Sequence, residues 1–232
     1  MESRKDISIV IPCLNEEKTI KFVIDKCFQV FRDCNLDGEV IVSDNGSCDN
    51  SINIALECGA NVVHCRKLGY GITLLTGFKA AQGKFLGMLD ADNTYDALEF
   101  KNYINAMDEN IDMVIGTRLK GYIEKGAMPF LNRYFGTPFL TFMLNLLYNT
   151  GISDTNCGMR LFRKDAFDKI NFKSTGMEFA TDMLIEFSKH KFKIKEIKIS
   201  LYKDIKDRKP HLRPFRDGFR HLFLILRKKF TE

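Results

Sequence analysis

The stretch Phe85-Leu86-Gly87-Met88-Leu89-Asp90-Ala91-Asp92 decides how this chain is read. Five apolar residues make a run of strand length, and two acids separated by one small residue close it. Upstream the same design recurs. Ile7 to Ile11 precedes a helical pattern over Glu17 to Phe31, Glu39 to Val42 precedes Asp49 to Cys58, and Asn61 to His64 precedes Gly71 to Ala81. Downstream, a helix near Leu98 to Met107 leads to a strand at Met113 to Thr117, and Phe192 to Leu201 alternates as a further strand. Residues 119–152 read as loop and helix. Strands alternating with helices predict βαβ units and a mainly parallel sheet, with ligands at the carboxyl ends of the strands.

Those strand ends are polar. Pro12-Cys13-Leu14-Asn15-Glu16 follows the first strand, Asp44-Asn45-Gly46-Ser47 the second, Asp90-Ala91-Asp92 the fourth and Gly116-Thr117-Arg118 the fifth. Carboxylates, amides and a guanidinium converging on one rim predict a ligand site. Asp90 and Asp92 offer hard oxygen ligands of the kind that suit Mg²⁺ or Mn²⁺. A lone D-x-D string also arises in turns and helix caps, so its companions carry the weight. Gly69-Tyr70-Gly71 enters a helix, where glycine permits close approach of backbone to phosphate.

The chain has 232 residues, 45% of them hydrophobic, enough for one large core. Its seven cysteines form no C-x-x-C pair and are odd in number, which argues for reduced thiols rather than a zinc site or a disulfide framework. The polar start, Met1 to Asp6, has no apolar signal segment, and no window has the run of apolar residues a spanning helix needs. A cytoplasmic location, with peripheral contact at the cytoplasmic face of the membrane, is the expectation. Charge is concentrated late: residues 203–232 hold ten Lys/Arg against four Asp/Glu, while the whole chain is only +5. In that tail Phe215, Phe219, Leu222, Phe223, Leu226 and Phe230 recur at helical spacing, opposite Arg216, Arg220, Arg227 and Lys228. This predicts an amphipathic helix with a basic face, suited to membrane or to ordinary packing. Nucleic acid is not expected, since no recognised binding motif accompanies the charge.

Taken together, Ile9-Val10-Ile11-Pro12-Cys13-Leu14-Asn15-Glu16, Ser43-Asp44-Asn45-Gly46-Ser47, Gly69-Tyr70-Gly71 and Asp90-Ala91-Asp92 resemble the motifs of family 2 glycosyltransferases of the GT-A type. Asp154-Thr155-Asn156-Cys157-Gly158-Met159-Arg160, Gly176-Met177-Glu178-Phe179-Ala180 and Pro210-His211-Leu212-Arg213 are similar to strings of its dolichyl- or polyprenyl-phosphate sugar synthase branch. The resemblance runs from about Ile7 to about Leu226. Asn93 and Lys206-Asp207-Arg208 depart from it, where that branch often has Gln and R-S-R, and many relatives continue into transmembrane helices.

The resemblance implies an α/β GT-A-type, Rossmann-like, mainly parallel sheet with flanking helices over residues 1–202, and a basic amphipathic extension over 203–232. It implies inverting transfer of a sugar from a UDP- or GDP-sugar, with Mn²⁺ or Mg²⁺ on Asp90 and Asp92. Pro12, Asn15, Glu16, Asp44, Lys67, Gly71, Asp90 and Ala91 would bind the nucleotide sugar. Arg118 would face the diphosphate or the acceptor phosphate. Asp154 is the first choice of base, with Glu178 second, either being alternatively a structural acid paired with Arg160. Arg133, Glu178, Lys206 and Arg208 would serve the acceptor. That acceptor is expected to be a polyprenyl phosphate, the alternative being a glycan or small-molecule hydroxyl used by a soluble enzyme. A binding protein that has lost catalysis is disfavoured by retention of Asp90, Asp92, Glu16 and Asp44, and a Rossmann dehydrogenase by the lack of G-x-G-x-x-G after the first strand.

Overall fold

A computed structural model of the chain describes residues 5–205 and 214–231. Strands β1 (Ile7–Cys13), β2 (Gly38–Asp44), β3 (Asn61–His64), β4 (Phe85–Met88), β5 (Met113–Ile123), β6 (Arg160–Arg163) and β7 (Ile194–Leu201) form one sheet in the order β3-β2-β1-β4-β6-β5-β7. The first four run parallel, β5 is parallel to β7, and β6 enters antiparallel between β4 and β5. The helices are α1 (Ile20–Asp33), α2 (Ser51–Glu57), α3 (Tyr70–Ala80), α4 (Phe100–Ala106), α5 (Thr137–Tyr148), the short α6 (Lys164–Phe167), α7 (Phe179–Lys189) and α8 (Pro214–Phe230). A 3₁₀ turn (Ala97–Glu99) leads into α4 and a π turn (Asn132–Gly136) into α5.

Helices cover both faces of the sheet, and the apolar runs follow from that. Ile9, Val10 and Ile11 are all fully buried. Successive strand side chains point to opposite faces, so a central strand without polar alternation needs a cover on each side. Gly77 of α3 lies against Val10, whereas Phe100 of α4 and the neighbouring Ile9 both crowd Gly87.

Two elements differ from expectation. Strand β5 continues to Ile123, past an irregularity in its pairing with β7 between Thr117 and Tyr122, so part of the segment read as loop and helix is strand. Strand β6 was not anticipated; it is only four residues long, and its buried run gives no period. Its antiparallel sense matters, because Arg160 pairs with both Met88 and Ile115 and so begins β6 at the rim where β4 ends.

The tail helix α8 packs on α5 and α7. Its inward side carries His221, Leu224, Ile225 and Lys228, all buried. Phe219, Phe223 and Phe230 face outward and Arg216, Arg220 and Arg227 are exposed as well, so of the expected basic face only Lys228 turns in. Lys228 is held by Asp182 and Glu186 of α7, and the Thr181 hydroxyl lies 2.7 Å from Nδ1 of His221.

Candidate active site

The rim is assembled from the turns that follow β1, β2 and β4 and from the bend of β5. After β1, Asn15 adopts a left-handed backbone (φ 59°), which Asn tolerates better than most residues. Its amide accepts from the backbone N of Cys48 at 2.8 Å, and its own N–H donates to Ser47 Oγ at 3.0 Å. After β2, Asp44 accepts from the backbone N–H groups of Ser47 (2.9 Å) and Gly46 (3.2 Å). His64 Nδ1 lies 3.2 Å from the same carboxylate. Burial pushes the Asp44 carboxyl up, but the Ser47, His64 and Gly46 bonds outweigh it and hold the group below the usual range. Asn15 and Asp44 are thus joined through one turn. Glu16 is buried, its carboxylate accepting from Thr19 Oγ1 at 3.0 Å, while Pro12 is half-buried and Ala91 buried.

Asn45, which sequence reasoning passed over, braces the next loop. Its side chain donates to the carbonyl of Lys67 at 2.8 Å and accepts from Gly69 N at 3.0 Å. The Lys67 side chain is exposed. At Gly71 a Cβ would meet Cβ of Phe179 at 2.6 Å, so its missing side chain serves the close packing of α3 on α7.

At the centre is Asp90. The Tyr70 hydroxyl donates to its Oδ1 at 2.8 Å, and a Cβ on Gly158 would lie 2.4 Å from its Oδ2. Only glycine lets the strand that becomes β6 pass so close. Burial and the negative charge of Asp92 push the Asp90 carboxyl up to about 7, against the pull of the Tyr70 hydroxyl and the Arg118 charge. Asp92 Oδ1 accepts from the backbone N and hydroxyl of Thr94, at 3.0 and 2.7 Å. The turn passes through Asn93 at φ 59°, a conformation that favours Asn. Two half-buried acids whose like charges repel one another fit a hard divalent cation, which removes the repulsion and the desolvation together. No group of three or more His, Cys, Asp or Glu gathers to hold a metal among the described residues. Such a cation would therefore take further ligands from diphosphate oxygens and water, as Mg²⁺ commonly does.

Arg118 faces this pair from β5. Its Nε donates to Asp154 Oδ2 at 2.7 Å and its Nη2 to Oδ1 at 2.8 Å, and its backbone N also donates to Oδ2 at 3.0 Å. Asp154 is completely buried. Both its oxygens are engaged by Arg118, leaving none for an acceptor hydroxyl, and this argues against the expected base role. Its partner is not Arg160 either. Arg160 is itself fully buried and donates to the carbonyls of Cys157, Thr155 and Ala180, clamping the 155–158 loop to the start of α7. Beside Ala180, Glu178 accepts from Gly176 N at 3.2 Å through Oε1, and its buried Oε2 has no partner. Arg133 lies on the π turn with its guanidinium 5.4 Å from the Tyr134 ring. Lys206 and Arg208 lie outside the described residues.

Residues 8–171 match the family model described as Glycosyl transferase family 2. The chain is 38% identical, over 95% of its length, to the low-salt glycan biosynthesis hexosyltransferase Agl6 of Haloferax volcanii, and spans 53% of that protein. It is 29% identical over 91% of its length to the glycosyltransferase AglJ of the same organism, covering 68% of it. A crystal structure of glucosyl-3-phosphoglycerate synthase from Mycobacterium tuberculosis in complex with Mn²⁺ and UDP-glucose superposes with a TM-score of 0.73 at 20% identity, over 97% of this chain and 79% of that one.

Proposed function

The chain belongs to glycosyl transferase family 2, and from that premise we propose that it transfers a hexose, with inversion, from a nucleoside-diphosphate sugar to a polyprenyl phosphate. The observation that carries the reading is the pair Asp90 and Asp92 beyond the end of β4, with the Arg118 charge of β5 acting on Asp90. Asp90 and Asp92 would hold Mn²⁺ or Mg²⁺, which neutralises the departing diphosphate. The Mycobacterium tuberculosis synthase of the same fold was crystallised with Mn²⁺ and UDP-glucose, and the similar Agl6 is a hexosyltransferase of glycan biosynthesis.

This chain's own residues divide the remaining work. Asn15, Glu16 and Asp44, fixed by the turn after β2, shape the nucleotide pocket, with Pro12, Lys67 and Ala91 at its edge. Arg118 presents a preorganised positive charge to phosphate oxygens, and Asp154 sets its direction. An aimed charge in a cleft shielded from water needs no reorganisation as negative charge develops. A phosphate monoester is ionised near neutral pH and attacks without a base. That suits a site whose most deeply buried acid, Asp154, is already consumed by an ion pair. Arg133 serves the acceptor phosphate, and the lipid chain of the acceptor brings the enzyme to a membrane surface through α8. Incubation with labelled UDP- and GDP-hexoses, Mn²⁺ and a short polyprenyl phosphate tests the reading. Label is expected in an organic-extractable, mild-acid-labile product, and its absence with every donor would overturn the acceptor assignment.

A second reading rests on Glu178. Its unpartnered oxygen at the start of α7 could take a proton from a glycan hydroxyl, which requires a base. Label appearing only on a water-soluble hydroxyl acceptor, and lost in Glu178→Gln, would favour it.

A further inference from the structure

We propose that the outward face shared by the π turn, α5 and α8 is a docking surface for an anionic lipid leaflet. Helix α5, Thr-Pro-Phe-Leu-Thr-Phe-Met-Leu-Asn-Leu-Leu-Tyr, contains no charged residue. Its core side is Thr137, Leu140, Thr141 and Leu144, all buried. Helical spacing puts Phe139, Phe142 and Leu146 diametrically opposite, where a surface helix ordinarily carries polar residues. They are exposed instead, Phe142 by 60%.

Helix α8 repeats the pattern beside it, tied to α5 by the Tyr148 hydroxyl donating to the carbonyl of Ile225 at 2.8 Å. With His221, Leu224, Ile225 and Lys228 turned inward, Phe219, Phe223 and Phe230 occupy the far side, 70%, 66% and 76% exposed. Phe130, just ahead of the π turn, and Tyr134 and Phe135 within it cluster, the Phe130 centroid lying 4.7 and 6.3 Å from theirs, and all three are exposed. Two neighbouring helices that both turn aromatics directly away from the core, with a third aromatic cluster leading into α5, exceed the single scattered exposures common on protein surfaces.

Charge selects the occupant. Residues 129–149 contain no acid. On α8, Arg216, Arg220 and Arg227 recur at helical spacing along one edge of the aromatic stripe, and all three are exposed. A second copy of this chain would bring like charges together across the contact, whereas an anionic headgroup layer neutralises them. Phenylalanine stripes edged by arginine suit a helix lying in the interface plane, apolar side in the acyl boundary. Among the described residues no helix is long and apolar enough to cross a membrane, so the surface rests on the leaflet rather than spanning it. The purpose of the surface rests on the lipid-acceptor reading, but its existence is testable without turnover.

Flotation of the full chain with vesicles of phosphatidylcholine alone, and of equal parts phosphatidylcholine and phosphatidylglycerol, is the direct test. Binding is expected to the mixed vesicles, weaker to the neutral ones, and reduced by salt. Combining Phe142→Ser, Phe219→Ser and Phe223→Ser should lower partitioning by about tenfold or more, with the melting curve and the UDP-induced thermal shift unchanged. Should that variant fold poorly, Phe219→Trp supplies a second readout. The chain has no tryptophan, so its emission is unmixed and is expected to shift to the blue on mixed vesicles. No flotation with mixed vesicles, no blue shift, or partitioning indifferent to the serines would overturn the proposal. So would a dimer in sedimentation that the serines dissociate, because a second copy would then cover the face. A protein that floats yet modifies no polyprenyl phosphate supports the surface and overturns the acceptor.

Discussion

Arg118 and Asp154 form a two-pronged pair, 2.7 Å from Nε to Oδ2 and 2.8 Å from Nη2 to Oδ1, with the carboxylate sealed from solvent. The planar fork of a guanidinium matches a carboxylate in this way only when both are held in register. Removing the charge of Asp154 strands a largely buried cation. Asp154→Asn is therefore expected to destabilise the fold by about 3 kcal/mol or more. Transfer should fall by roughly 10²–10³-fold through misdirection of Arg118. A double-mutant cycle with Arg118→Ala decides whether Asp154 works through Arg118. Losses that add independently would give Asp154 a separate catalytic duty.

Asp90 makes cation binding pH-dependent. Its carboxyl is pushed up to about 7 by burial and by Asp92, so in the metal-free protein it is protonated at mildly acidic pH. Binding needs the ionised form, so the apparent affinity for Mn²⁺ should drop by about tenfold per pH unit below that value. The stability sign runs the other way. A carboxyl raised in the folded state means that the native protein binds the proton more tightly than the unfolded chain does. Stability of the metal-free protein thus declines as pH rises from about 4 to about 7. Asp90→Asn is expected to raise the melting temperature of the metal-free protein at pH 8 and to abolish the Mn²⁺-induced shift. A variant that still shows the full shift would move the cation elsewhere.

The partners of Asp90 set that titration. The Tyr70 hydroxyl bond pulls the carboxyl down, so Tyr70→Phe should move the Mn²⁺-binding profile to higher pH. Gly158→Ala would place a methyl 2.4 Å from Oδ2 and displace the carboxylate. A loss of stability of about 1–3 kcal/mol, together with weakened Mn²⁺ binding, is expected. Calorimetric titration of both variants across the pH range separates the two effects, because only the tyrosine change should leave affinity at high pH intact.

These partners also mark how far sequence reading reached. Asp90, Asp92, Asp44, Asn15 and Arg118 could be named as candidates because each stands close behind a recognisable apolar run, a local signal. Tyr70 and Gly158 were not, since their meaning lies in contacts with Asp90 across 20 and 68 positions of chain. Strand β6 escaped for a related reason: four residues carry no period, and antiparallel insertion between β4 and β5 depends on the completed sheet. The tail shows the limit most plainly. Its spacing correctly predicted a helix, yet its inward side carries Lys228, which meets Asp182 and Glu186, one turn apart on α7, partners that no local pattern in the tail reveals.

Lys228 has its Nζ 2.5 Å from Asp182 Oδ1 and is also bonded to Glu186. Burial pulls its ammonium down, but the two carboxylates outweigh burial and hold its pKa above the ordinary lysine value. A raised lysine stabilises the fold fully below the unfolded pKa near 10.5, and that contribution is lost as pH rises beyond it. At neutral pH, Lys228→Ala would leave two buried acids uncompensated, a loss of about 3 kcal/mol or more. Because Ser174 N also donates to Asp182, at 3.2 Å, the damage should spread to the loop before α7. Adding Asp182→Asn and Glu186→Gln should restore most of the stability by removing the unpaired charges. Urea denaturation of the three proteins, with limited proteolysis following release of α8, measures this. If the triple variant is no more stable than Lys228→Ala, charge compensation is not what seats the helix, and packing by Leu224 and Ile225 holds it alone.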